Sequence, residues 1–160
     1  MKSGAAGYLT LFIALMAISV SCKRSSIFTE IDANFKSLDD VYITEFRNEQ
    51  KFVEKNTELD LGAETAMTGR YGTLLTLDVW EFKSDSEAKQ AYETLTALEK
   101  QNGPREFDQT RAAEFRYKVV RATGIAGEIF TVKKVLFRVL GENAATINEY
   151  LIAGKLARLR

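Results

Sequence analysis

YGTLLTLDVWEFKSDSEAKQAYETLTALEKQ, residues Tyr71 to Gln101, changes its apolar period part-way along, and that change decides the fold class. Over Tyr71 to Phe82 the period is two. Leu75, Leu77 and Val79 point to one side, and Leu74, Thr76, Asp78, Trp80 and Phe82 to the other. That pattern is a strand with one core face and a second face at least half covered. From Ser84 onward the spacing becomes three and four, placing Ala88, Ala91, Tyr92, Leu95 and Leu98 on one stripe. Ser84 with Glu87 has the spacing of a capping box, and Asn102, Gly103 and Pro104 supply a stop, so a helix is predicted over 84–101.

Towards the C-terminus, Phe115 to Thr123 and Glu128 to Val132 flank Gly124-Ile125-Ala126-Gly127, which predicts a hairpin with a four-residue loop. Lys134 to Leu140 continues as strand after a change of apolar phase at Lys133 and Lys134, so a bulge or tight turn is expected there. Gly141 ends the strand, and Asn143 caps a last helix whose face carries Ile147, Tyr150, Leu151 and Gly154. Towards the N-terminus, residues 47–60 are polar and without clear period, and Val41 to Phe46 (VYITEF) reads as a strand. Ile27, Phe28, Ile31, Phe35 and Leu38 share one face of a helix. Helices separated by runs of adjacent strands predict the α+β class: an antiparallel β-sheet with helices packed on one face, in a single domain over 27–160. No internal repeat is visible.

The scarce residues narrow the chemistry. Among 160 residues there is no His, one Cys (Cys22), one Pro and one Trp. Without imidazole, Ser-His and Cys-His nucleophile pairs and His-containing zinc sites are excluded, and one thiol cannot form an internal disulfide. A composition 46% hydrophobic and 28% charged is that of a globular chain and not of a disordered one.

Lys2 precedes an uncharged stretch from Ser3 to Cys22, whose densely apolar part is the thirteen residues Tyr8 to Val20, and Lys23 and Arg24 follow. A basic start, an apolar run of that length and small residues after it have the layout of a secretory signal peptide. Cys22 stands directly behind Ser19, Val20 and Ser21. This stretch resembles the lipobox of bacterial lipoprotein precursors, a resemblance confined to residues 1–22. It implies cleavage between Ser21 and Cys22, acylation of Cys22, a signal peptide over 1–21 and a tether over 22–26. It also implies a place in the cell envelope with the domain outside the cytoplasm. Lys23 stands where inner-membrane retention often uses aspartate, which implies the outer membrane if the source has two. Burying each CH₂ of an acyl chain is worth about 0.8 kcal/mol and one chain alone holds only marginally, so a doubly or triply acylated cysteine is a stable anchor. Two other readings of the segment remain: an uncleaved transmembrane anchor, and ordinary cleavage after Ser19 or Ser21.

Residue patterns for catalysis are weak. Ser86-Glu87-Ala88-Lys89 has the S-x-x-K spacing of penicillin-recognising enzymes without their other motifs, and sits where a helix starts anyway. An exported enzyme working through carboxylates would place Asp78 and Glu81 first, although a lone Asp in an apolar strand more often pairs with an Arg. No catalytic residue, metal or cofactor is expected. Charge is uneven: Glu30 to Lys100 holds eight basic and sixteen acidic residues, and Pro104 to Arg160 eleven basic and six acidic. If Arg116 and Lys118 share a sheet face with Lys134 and Arg138, a cationic strip results, joined by Lys155, Arg158 and Arg160. Such a strip would suit an envelope protein, an anionic lipid or a glycolipid. The alternative is internal pairing between the two halves. Nucleic acid is not expected as a partner.

Overall fold

The computed structural model describes residues 38–104, 106–108 and 116–159. The signal segment, Ser21, Cys22, the tether, most of the helix expected over 27–38, Phe115 and Arg160 lie outside the described residues. The strands are β1 (Glu45–Phe46), β2 (Glu49–Gln50), β3 (Phe52–Lys55), β4 (Thr65–Tyr71), β5 (Leu75–Glu81), β6 (Glu106–Asp108), β7 (Arg116–Val120), β8 (Ala126–Val132) and β9 (Val135–Gly141). The α-helices are α1 (Asp85–Gln101) and α2 (Ala144–Ala153), and short 3₁₀ turns occupy Leu38–Val41 and Leu156–Arg158. β1 and β2 form a small hairpin. The other seven strands form one sheet in the order β3-β4-β5-β9-β8-β7-β6, with every neighbouring pair antiparallel. The class is α+β, as the sequence predicts.

β5 and β9 pair at the centre, where both sheet faces are covered. Leu75, Leu77 and Val79 meet Val135, Phe137 and Val139 on one face, together with Ile147, Tyr150 and Leu151 of α2. Trp80 and Leu136 lie on the other face with Ala88, Ala91, Tyr92 and Leu95 of α1. The helices therefore pack on opposite faces, not on one. Three residues, 82–84, join β5 to α1, whereas two, 142–143, join β9 to α2. Because side chains along a strand alternate between faces, a connection one residue shorter launches the helix on the other side.

Helix ends follow the sequence closely. Ser84 Oγ accepts from Glu87 N at 3.2 Å, and Asn143 Oδ1 accepts from Thr146 N at 2.9 Å. Glu87 completes its cap on Lys83 N at 3.0 Å. Other expectations shift. Val41 to Phe46 is a strand only at Glu45–Phe46, because Val41 closes the 3₁₀ turn and residues 42–44 are irregular. The expected strand over 71–82 breaks at Gly72 to Leu74, a turn with Leu74 N donating to Tyr71 O at 3.1 Å. The β7–β8 loop falls at residues 121–125, earlier than expected, with Arg121 N donating to Ile125 O and Gly124 at φ +88°. At Lys133 and Lys134 there is a tight turn, with Lys133 at φ +51° and Val132 opposite Val135.

β3 and β4 lack the clear apolar alternation of β5, and β4 includes a glycine that its neighbour requires. Tyr42 lays its ring over Gly69, so that a Cβ there would clash with Cδ1 and Cε1 at the ring edge, and the Tyr42 hydroxyl donates to Met67 O at 3.1 Å. Beside it, the Tyr71 hydroxyl donates to Ile43 O at 2.7 Å and accepts from the Tyr150 hydroxyl at 2.9 Å. Phe46 meets both rings edge-on at 6.1 and 5.3 Å. These contacts fasten residues 41–46 and α2 to the same face.

Burial of these phenols has a pH consequence. It pushes Tyr92 up to about 12, with the nearby Tyr117 adding to the shift, and holds Tyr150 well above the usual tyrosine range and Tyr71 above it. The native state thus binds these protons more tightly than the unfolded chain, whose tyrosines titrate near pH ~10. Their contribution to stability is complete below pH ~10 and is lost as pH rises through the native values. Alkaline titration followed by tyrosinate absorbance and circular dichroism should show late ionisation accompanied by unfolding. Independent early ionisation with the fold intact would contradict this burial.

Candidate functional site

Asp78 and Arg138 are directly opposed at the midpoint of β5·β9, on the face that α1 covers. Asp78 is 2% exposed, yet each of its oxygens is engaged. Thr68 Oγ1 donates to Oδ1 at 2.6 Å and Asn56 Nδ2 to the same oxygen at 3.1 Å, while Arg138 Nε and Nη2 reach Oδ2 at 2.8 Å. Arg138 also approaches Glu99 of α1 at 3.6 Å and lies over the Trp80 ring at 5.5 Å. Glu99, itself buried, takes Arg121 on both oxygens. An alternating chain of charges, Asp78–Arg138–Glu99–Arg121, runs between helix and sheet. Every buried charge in it has an opposite neighbour, which is the condition for tolerating such groups in a low-dielectric interior.

This chain settles where the expected cations go. Arg116 and Lys118 share one sheet face, Arg138 points to the other, and Lys134 stands in the β8–β9 turn. Arg116 pairs with Glu128 at 2.7 Å and Lys134 with Glu81 at 3.2 Å. The four residues therefore do not make one strip, because strand alternation separates them and acids claim three of them. The charge imbalance resolves internally: Arg121, Lys134 and Arg138 of the basic half meet Glu99, Glu81 and Asp78 of the acidic half, and Arg47 meets Glu142 and Glu149. Asp78 and Glu81 likewise do not converge, since they face opposite sides of β5.

The space on this face is a cavity of about 320 Å³ between the sheet and residues 56–64. Ala66 and the fully buried Trp80, paired across β4 and β5, are its floor; Leu59, Leu61 and Ala63 are its walls; Lys55, Asp60 and Glu64 stand at its rim. The covering loop is anchored at several points. Asn56 N donates to Ala66 O at 2.9 Å and Glu64 N to Glu81 O at 2.8 Å. Asn56 Oδ1 accepts from Glu58 N and Leu59 N, and Asp60 Oδ1 from Gly62 N, which holds φ +75°. A second cavity of about 310 Å³ lies beyond Leu61, against Phe82 and Ala91. The Trp80 indole N–H has no acceptor among the described residues.

Residues 56–60 of this loop belong to the polar stretch without clear period, and its signal in the sequence is the alternation of Leu59 and Leu61 with the turn-forming Asp60 and Gly62. Among the described residues no group of three metal-ligating side chains occurs, and no helix is long and apolar enough to cross a membrane. No family model, curated protein or solved structure matches the chain.

Proposed function

We propose that this chain is a bacterial envelope lipoprotein, cut between Ser21 and Cys22, anchored by acyl chains on Cys22, and carrying an extracytoplasmic α+β domain that binds and does not catalyse. The observation that carries this reading is the position of the only thiol, directly behind a thirteen-residue apolar run that a basic residue precedes. A cysteine used as a small core hydrophobe has no reason to stand there.

Two arrangements in the domain support the non-catalytic part. Asp78 is tied to Thr68, Asn56 and Arg138, and Glu81 is paired with Lys134 on the other face, so the two carboxylates meet around no common substrate position. The anionic-lipid version of the partner loses its geometric support with the cationic strip. What remains is an envelope partner or ligand taken up by the domain itself.

Intact mass of the membrane-extracted protein tests the anchor. A chain beginning at residue 22 with added acyl mass, lost in Cys22→Ser, is expected. Full-length unmodified protein would overturn the reading in favour of an uncleaved membrane anchor.

A further inference from the structure

Four quarters of the sheet need covering, and one is closed differently from the rest. α1 lies over β8 and β9 on one face and α2 over the same strands on the other. On the α2 face β4 and β5 are covered by residues 41–46, where Val41, Tyr42 and Phe46 are 0%, 3% and 4% exposed and Tyr42 and Ile43 are bonded to the chain beneath. On the α1 face the segment over the same two strands is residues 57–63. Its Leu59, Leu61 and Ala63 turn inward yet stay only half-buried, while Thr57, Glu58, Asp60 and Gly62 are exposed. Leu61 stands between two spaces, lining both the cavity over Trp80 and the one against Phe82 and Ala91, so it has few packing contacts to lose on leaving. Hydrogen bonding within the segment is local, with Asp60 Oδ1 accepting from Gly62 N. Among the described residues, the bonds that leave 57–63 run from Glu58 N and Leu59 N to Asn56 and, at the surface, from Glu58 to Arg70 at 3.0 Å. A surface pair of that kind holds weakly. Asn56 and Glu64 are held differently. Asn56 N donates to Ala66 O, Glu64 N to Glu81 O, and Asn56 Nδ2 to Asp78 Oδ1.

We infer that residues 57–63 are a lid that swings as a unit about Asn56 and Glu64, lifting Leu59, Leu61 and Ala63 off Trp80 and joining the two cavities into one trough beside α1. Asn56 is the firmer pivot, because the carboxylate it donates to is itself fixed by Arg138, which reaches on to Glu99 of α1. The lid has the marks of a segment that opens below the global unfolding free energy: little fully buried apolar surface, and fastening confined to its ends. Opening uncovers Trp80, which is 0% exposed when the lid is down. The inference goes beyond the proposed function and holds whether or not Cys22 carries lipid.

The chain has one tryptophan, so its indole N–H gives a single resonance. That N–H has no acceptor among the described residues, so burial alone protects it from exchange with solvent. Hydrogen exchange is followed on isotope-labelled full-length protein in membrane-extracted form, in increasing urea below the unfolding transition. Lid opening exposes little surface, so indole exchange should be nearly independent of urea. It should also be at least about tenfold faster, after correction for intrinsic rates, than exchange of the Val139 amide in β9, which waits for global unfolding and accelerates with urea. Asn56→Ala, which removes the side-chain bonds at the pivot, should raise the ratio of indole to Val139 exchange by about tenfold. Leu61→Ala removes the central inward side chain without touching a hydrogen bond and should raise the ratio by about threefold or more. Taking the ratio cancels any loss of global stability in either variant. Equal rates with equal urea dependence for the indole and Val139 would overturn the inference, as would a ratio that neither variant moves. Exchange of the Leu95 amide of α1 in step with the indole would overturn it too, because the opening would then belong to the helix.

Discussion

Arg138→Leu should destabilise the domain by about 3–5 kcal/mol, the usual cost of removing one partner from a buried ion pair. Asp78 would keep Thr68 and Asn56 as donors but no cation, and it is 2% exposed. Water cannot reach it without opening the sheet or lifting the 56–64 loop. Glu99 would fare better, because Arg121 still holds both its oxygens. Asp78→Asn is expected to cost less than Arg138→Leu, since Arg138 retains Glu99 nearby and its stack on Trp80. Urea denaturation checks both, read as a shift in midpoint at constant slope. A loss below ~1 kcal/mol for Arg138→Leu would mean that the pair is solvated and that the charge chain does not organise this face.

Phe137→Ala should cost a comparable amount, about 3–5 kcal/mol, through lost burial and an unfilled cavity. The ring is fully buried in the central strand β9, stacked on Phe130 at 5.0 Å with 13° between planes, and opposite Val79 of β5. Neighbours on both sides are pinned by the sheet ladders, so little collapse into the space is available. Phe52→Ala is the matched control. That ring is 61% exposed on the edge strand β3, and its removal should fall within about ±0.5 kcal/mol. Similar losses for the two variants would contradict the placement of the core on the β5·β9 pair.

The two results bear on different links between sequence and function. Phe137 reports on the packed face that carries α2 and residues 41–46, which sets the fold. Arg138 reports on the opposite face, where the charge chain borders the cavity and fixes Asn56, the first residue of its covering loop. A variant that weakens the second face while leaving the first intact should loosen the loop before it unfolds the sheet.

Local patterns determined a good part of this protein. The period change in residues 71–101 specified β5 and α1, the side-chain oxygens of Ser84 and Asn143 set the helix starts, and the phase break at Lys133 marked the β8–β9 turn. Each of these depends on residues within a few positions of one another, so their chemistry is written in sequence order. β3 and β4 were not legible, because Thr65 to Tyr71 owes its strand conformation to ladders on both sides and to Tyr42 lying over Gly69. Nor was the near two-fold arrangement of the sheet, in which β3-β4-β5 and β7-β8-β9 are matching meanders about the midpoint of β5·β9. Its equivalent positions hold Asp78 against Arg138 and Trp80 against Leu140, too dissimilar to read as a repeat. Asp78 looked like a candidate acid until Arg138, sixty residues later, was placed across from it. The sequence by itself settles the helix caps, the apolar periods and the position of Cys22. Only the tertiary structure decides which face each helix covers, which charges meet and where space is left, because those depend on contacts between residues far apart along the chain.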